Sequence, residues 1–167
     1  NVDDATQENI KFIEDNLSNE KIVAIGEIGL DYYYTKDNKE EQIKLFETQL
    51  ALAEKYNLPV IVHSRDATED TINSLKKFNC KGIIHSFSGS LETARIYIKM
   101  GYLLGVNGVI TFKNAKIKEV IKDVGLENII LETDSPYLTP EPFRGKQNNP
   151  GHVFEIAKFI ADLYNIS

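Results

Sequence analysis

Residues 58–85 read LPVIVHSRDATEDTINSLKKFNCKGIIH, and their reading decides the fold. Leu58-Pro59 resets the backbone to extended, because a proline ring disfavours the α region for the residue before it. Val60, Ile61 and Val62 then form a β-branched, apolar run that reads as a strand. Asp66 and Glu69 have capping-box-like spacing, and they open a helix whose buried side carries Ile72 and Leu75. Gly82–Ile84 is a second apolar run. Short runs of Val, Ile and Leu without alternation read as strands buried on both faces, as in a parallel sheet with helices outside. Each of these two strands is followed at once by a histidine, His63 and His85. Parallel strands bring their carboxyl ends to one face, and in (β/α) barrels chemistry sits at that face.

The same alternation extends in both directions. Upstream, residues 6–17 make an amphipathic helix with Ile10, Ile13 and Leu17 on one side. A strand at residues 22–25 leads to Glu27. The loop GEIGLDYYYTKDN follows, then a helix of about five turns through Tyr56, with Ile43, Phe46, Leu50 and Ala53 at the helical period. Downstream, Ser90 caps a helix that ends at Met100, with Gly101 as its stop. Strand Tyr102–Val106 comes next, then a helix carrying Ile117, Val120, Ile121 and Val124 that ends at Gly125. Strand Ile129–Leu131 leads to Asp134. A Pro-rich polar loop spans residues 136–150, and a last helix buries Val153, Ile156, Ile160 and Leu163. Five strands, each followed by a helix, recur at roughly 22 to 36 residues, enough for βαβ crossovers. The class is α/β. Five such units fit an open sheet or part of a (β/α)₈ barrel, which takes ~250 residues, so residues 1–167 form one domain of about two-thirds that size.

A formal net charge of −6 argues against a broad basic surface gripping phosphates. It leaves nucleic acid open as a substrate, since bound cations would change the local field. No apolar run approaches the ~18 residues of a membrane-spanning helix. The one cysteine, Cys80, provides no intrachain disulfide and reads as a small buried hydrophobe; a cytoplasmic home is the simplest expectation. The chain opens on Asn1 rather than Met, and the natural protein is expected to continue upstream.

Four ionisable residues crown strands: Glu27, His63, His85 and Asp134. Two imidazoles and two carboxylates at one face make a donor set for a divalent metal. Each also has a plainer reading. A strand histidine is often a hydrogen-bonded structural group, Glu27 could be a surface carboxylate, and Asp134 could cap the turn before Ser135-Pro136. Glu132, two residues before Asp134 and on the same side of the strand, is either a second close carboxylate or a group that orients a ligand. His152, after Pro150-Gly151, is expected in a surface or capping role. Tyr32, Tyr33 and Tyr34 line a pocket or simply pack; Arg65, Arg144 and Lys146 could meet a phosphate or stay solvated. There is no P-loop, GxGxxG, HExxH, paired CxxC or GxSxG.

GEIGLDYY, PVIVHSRDA, IIHSFSGS, ETDSPYLTP and RGKQNNP occur in this order. Together they closely resemble the TatD family of metal-dependent deoxyribonucleases, within the amidohydrolase-like TIM-barrel hydrolases, and the resemblance covers essentially the whole chain. It implies a (β/α)₈ TIM barrel, of which this chain would be about the last five βα units. It implies one or two divalent ions (Zn, Mg or Mn) held by Glu27, His63, His85 and Asp134. Glu27 would bridge two ions, the two histidines would serve one, and Asp134 the other. It implies a hydrolase acting on DNA as a 3′ to 5′ exonuclease, with Glu27 and Asp134 as catalytic groups and Asp31, Arg65 and Arg144 as substrate contacts. The family's opening H-x-H pair does not occur among the three histidines present, so an impaired site is expected for this stretch alone. Gln147 and Asn149 stand where the family usually has Arg and often has Glu. The same centre could instead cleave amides, esters or lactones, and a metal-free scaffold that kept the motifs is the non-enzyme alternative.

Overall fold

The structure, a computed structural model, describes residues 6–35 and 37–166. It divides into two compact units, residues 1–83 and 84–167.

The first unit opens with α1 (Gln7–Asn16), whose first turn is closed by Thr6 Oγ1 accepting the Asn9 N–H at 3.1 Å. β1 (Ile25–Asp31) follows, then α2 (Lys39–Tyr56), β2 (Val60–Arg65) and α3 (Thr68–Leu75). The expected strand at residues 22–25 is displaced toward the C-terminus. Pairing cannot start earlier, because the partner strand begins at Val60 and the Ile25 N–H donates to the Pro59 carbonyl at 2.9 Å. Val23 is accordingly 74 % exposed. Glu27 therefore lies inside β1 rather than after a strand. β1 and β2 run parallel, with Ile25 opposite Val60 and Ile28 opposite Val62, so β1 carries one extra residue at a bulge that contains Glu27. Beyond the bulge, Ile28 and Leu30 are buried, and Glu27, Gly29 and Asp31 take the other alternating positions. Phe46, Leu50 and Ala53 of α2 are fully buried at the period read from sequence, with α2 packed on β1 and α3. The expected capping box at Asp66 is absent. Asp66 takes a left-handed φ of 54°, and α3 starts two residues later behind Ala67. β3 (Gly82–Ile84) begins in this unit, and the strand order is β1-β2-β3.

The second unit takes up the end of β3 and continues with α4 (Leu91–Lys99), β4 (Tyr102–Val106), α5 (Ile117–Val124), β5 (Ile129–Leu131) and α6 (Val153–Tyr164), in the strand order β3-β4-β5. Ser90 Oγ caps α4 through the Thr93 N–H at 3.3 Å. β4 and β5 are parallel, pairing Leu104 with Ile129 and Val106 with Leu131. The core joins Val106, Ile110, Ile121, Ile156 and Ile160, with Ile117, Val124 and Leu163 packed at its margin. Burial on both strand faces, expected for the apolar runs, fails at Ile130, which is 38 % exposed. The alternating positions on either side of it, Ile129 and Leu131, are the ones packed on the core.

One surface network gives a pH signature. Asp70 accepts Lys39 Nζ at 2.8 Å and the hydroxyl of buried Tyr32 at 3.0 Å. Lys39 foremost, with Tyr32 assisting, holds the Asp70 carboxyl below its ordinary value against the opposing effect of partial burial. A pKa depressed in the folded state contributes stability that is present above the unfolded value of ~3.9 and is lost as pH falls through the folded value. Asp70→Asn should therefore lower the melting temperature at pH 7 by roughly 2–4 °C, the shift for ~1 kcal/mol in a chain of this size. The gap to the parent should close as pH falls through the folded Asp70 value; thermal melts of both proteins from pH 7 down through the acid range check it.

Candidate metal centre

The two histidines occupy matching places, each bracketed by carboxylates. In the first unit His63, on β2, lies opposite Gly29 of β1. Gly29 adopts a φ of 144°, and a Cβ there would come within 1.9 Å of the His63 carbonyl oxygen, so this position requires glycine both for conformation and for space. On either side of it along the same strand face stand Glu27 and Asp31. His63 Nδ1 is 2.9 Å from Glu27 Oε1, and Nε2 is 3.1 Å from Asp31 Oδ2. The Glu27 hydrogen bond above all, with Asp31 adding to it, raises the His63 pKa above its ordinary value despite the opposing effect of partial burial.

Asp31 is held in turn. Its backbone N–H donates to Gln42 Oε1 at 2.9 Å, its carbonyl accepts Gln42 Nε2 at 3.0 Å, and its Oδ1 accepts the Tyr33 N–H at 2.9 Å. A cavity of about 380 Å³ opens beside this group, lined in part by Glu27, Asp31, Tyr34, Asn38, Gln42 and His63. The Arg65 guanidinium lies 3.6 Å from the centre of the Tyr33 ring, and Tyr33 meets Tyr34 edge-on at 4.9 Å. Tyr33 and Tyr34 are exposed and Tyr32 is buried, so the tyrosine run divides between surface and packing.

In the second unit His85 follows β3. Its Nδ1 is 2.7 Å from Glu132 Oε2, and its Nε2 is 3.3 Å from Asp134 Oδ1. Glu132 and Asp134 thus address one imidazole from the two ends. Ser86 and Asp134 both take left-handed φ values, 48° and 54°, uncommon for residues with side chains and a mark of turns held by their surroundings. Asn148 does much of that holding. It is buried at 4 % exposure, and its Nδ2 donates to the carbonyls of Thr133 (2.8 Å) and Tyr137 (2.6 Å) on either side of Asp134. Its Oδ1 accepts His152 Nδ1 at 2.8 Å, and the His152 ring stacks on Phe143. His152 is therefore a loop-fastening group at a helix start; against the expected surface or capping role, its side chain makes no capping hydrogen bond to α6. Asn148 escaped the sequence reading, although two adjacent asparagines before Pro150-Gly151 were its visible signal. The Arg144 guanidinium lies 4.2 Å from the Phe112 ring centre. Buried Cys80 has its thiol pKa raised by desolvation.

Whether this donor set suits a divalent cation can be judged from chemistry and spacing. An imidazole nitrogen beside a carboxylate oxygen offers the mixed donors that Zn, Mn, Fe or Mg accept. Ligand atoms ~2.05 Å from a tetrahedral zinc lie about 3.3 Å from one another, the separation already held by His85 Nε2 and Asp134 Oδ1. The pairs fit. Among the described residues no three His, Cys, Asp or Glu side chains are grouped as a ready cage, in keeping with rings whose nitrogens face carboxylates.

The family described as TatD related DNase matches residues 1–167, and the chain belongs to it. It is 48% identical over 164 residues to YabD of Bacillus subtilis (strain 168), an uncharacterised metal-dependent hydrolase, covering 96% of this chain and 64% of YabD. Its structure is similar to the crystal structure of YjjV, a TatD homologue from Escherichia coli K12, with a TM-score of 0.88 at 33% identity, covering 97% of this chain and 64% of that one. It is also similar to a TatD family hydrolase from Entamoeba histolytica, with a TM-score of 0.81 at 28% identity, covering 96% and 62%. The chain thus spans slightly less than two thirds of the relatives it matches. These likenesses make the fold an α/β fold of five parallel strands of the TatD TIM-barrel kind. Among the described residues no helix is long and apolar enough to cross a membrane.

Proposed function

We propose that the protein hydrolyses DNA phosphodiester bonds, releasing nucleotides from a 3′ end, with one or two divalent ions held by Glu27, His63, His85 and Asp134. The observation that carries this reading is the repetition: one histidine lies within β2 and, contrary to the expectation for His63, only the other follows its strand, yet each imidazole stands between two carboxylates. Close carboxylates repel one another unless a cation or proton compensates them, and a divalent ion provides that compensation. The chain supplies five βα units of a larger (β/α)₈ barrel in the cytoplasm.

When bound, the metal supplies Lewis acidity toward a phosphoryl oxygen and acidifies its water. Asp134 takes up the proton of the attacking water, and its left-handed turn, fastened by Asn148, keeps the carboxylate in place for that task. Glu27 holds His63 in orientation through Nδ1 and contributes negative charge to the donor set. Asp31 faces His63 Nε2, which favours a part in positioning that ring beside the expected contact with substrate. Arg65, stacked on Tyr33, and exposed Tyr34 at the cavity rim offer a cation and aromatic faces to a sugar-phosphate chain and its bases. Arg144 adds a further cation for the phosphates.

The test uses the natural protein purified without chelator or nickel resin. Elemental analysis should find a divalent metal, and single-stranded DNA should be degraded with Mg²⁺, Mn²⁺ or Zn²⁺ and not with EDTA. Cleavage of small esters or lactones with DNA left intact would replace the nuclease reading by the other hydrolase. No bound metal and no cleavage of any substrate would leave a scaffold.

A further inference from the structure

Gly105, in the middle of β4, has no evident backbone reason to be glycine, and glycine weakens a strand interior. Its reason is the side chain lying on it. A Cβ at Gly105 would sit 2.8 Å from Glu132 Oε2, 2.9 Å from Cδ and 3.0 Å from Oε1. The carboxylate therefore rests against the strand where the missing side chain would be. From that seat it accepts two hydrogen bonds from consecutive residues, His85 Nδ1 at 2.7 Å to one oxygen and the Ser86 N–H at 2.6 Å to the other. The left-handed φ of Ser86 belongs to the same turn, and Asn107 Nδ2 secures it by donating to Ser86 Oγ at 2.7 Å. The Phe87 N–H donates to the Gly105 carbonyl at 2.9 Å, so the seat and the turn are tied together.

We propose that Glu132, seated on Gly105, is the positioning residue for His85. Both carboxylates that face the ring can only accept, but Glu132 lies at 2.7 Å from Nδ1 and Asp134 at 3.3 Å from Nε2, so the single proton of the neutral ring goes to Nδ1 and Nε2 is left as the lone-pair nitrogen. The ring plane and the tautomer are then fixed before any cation arrives, as a carboxylate behind a metal-binding imidazole does. Because the Ser86 N–H holds the second oxygen, glutamine cannot keep the Nδ1–H tautomer: its amide NH₂ would face either the Ser86 N–H or the Nδ1–H, donor against donor, and the ring is relieved only by moving its proton to Nε2. The inference rests on the metal-ligand reading of His85 for its purpose, though not for its geometry.

Two variants test it, Gly105→Ala, which leaves His85 and Glu132 intact, and Glu132→Gln, which keeps the side-chain shape. In the metal-free chain, long-range ¹H–¹⁵N spectra of the neutral His85 ring should show the Nδ1–H tautomer in the parent. Both variants should show the Nε2–H form or averaged signals. Zinc titration should show affinity weakened by about 10–100-fold in both. Glu132→Gln should keep a cooperative melt even if Gly105→Ala does not. An Nε2–H ring in the parent, or an unchanged Nδ1–H ring in Glu132→Gln, overturns the proposal; an unchanged ring in well-folded Gly105→Ala removes the seat. A parent that shows the Nδ1–H ring but binds no zinc defeats the metal reading alone and leaves the positioning role standing.

Discussion

Replacing Glu27 by alanine is expected to abolish the proposed metal-dependent DNA cleavage in the full-length protein, a loss of at least ~10³-fold in kcat/KM, equivalent to about 4 kcal/mol of transition-state stabilisation. The size follows from two duties lost at once. The carboxylate is a proposed metal donor, and it holds His63 through Nδ1 at 2.9 Å, so its removal leaves that ring with Asp31 alone. The fold should be nearly indifferent. Glu27 is 45% exposed and sits at a bulge whose flanking residues, Ile25 and Ile28, carry the burial; an exposed substitution of this kind shifts stability by ~0.5 kcal/mol or less. Activity and metal content should therefore fall together while the melting temperature stays within a few degrees. Glu27→Gln, which keeps length and loses charge, should recover little. Undiminished cleavage by the alanine variant would remove Glu27 from the centre.

The strands that crown the site were legible because their signals are local. The runs before His63 and His85 need only β-branched residues and a proline or glycine boundary to be read, and Gly82–Ile84, Tyr102–Val106 and Ile129–Leu131 carry the predicted bounds. What was hidden depends on partners far away in sequence. β1 starts at Ile25, later than its apolar run suggests, because Val60 and Pro59 set where pairing can begin. That shift puts Glu27 and Asp31 on one face of one strand, and it makes Asp31 a neighbour of His63 rather than only a loop carboxylate. The alternation Glu27-Gly29-Asp31 was the available signal. Asp66 shows the opposite failure: a plausible cap by spacing, it is displaced because β2 runs on through Arg65 and the chain must turn before α3. Asn148 was missed for a third reason: one buried amide serving Thr133, Tyr137 and His152 leaves no periodicity, only the paired asparagines before Pro150-Gly151. The family resemblance supplied the proposed ligand set as a whole, and the hydrogen bonds supply what it could not: which carboxylate faces which ring nitrogen.

Gly82→Ala is the substitution expected to damage the fold most for the fewest atoms added. A Cβ at this position would lie 1.9 Å from the Val60 carbonyl oxygen and 2.7 Å from its nitrogen. Both are backbone atoms at the start of β2, whose N–H donates to the Lys81 carbonyl at 2.9 Å. A flexible side chain could swing away; a paired strand cannot, so the methyl group must push β2 and β3 apart where their pairing begins. Overpacking a fixed site costs typically 1–3 kcal/mol and occasionally more, and with no neighbour able to yield the upper end applies. In a chain of this size ~3 kcal/mol lowers the melting temperature by roughly 6–12 °C. Gly145→Ala separates space from conformation. It has nothing within 4 Å of its Cβ but a φ of 88°, so its cost is conformational alone, ~1 kcal/mol. Val60 opens the strand that carries His63, three residues on, so displacement at Gly82 should also weaken metal binding, whereas Gly145→Ala should leave the His63 cluster untouched. Melts and zinc titrations of the two variants side by side decide the matter. An alanine at residue 82 that melts within 2 °C of the parent would mean that the strands do not approach as closely as described.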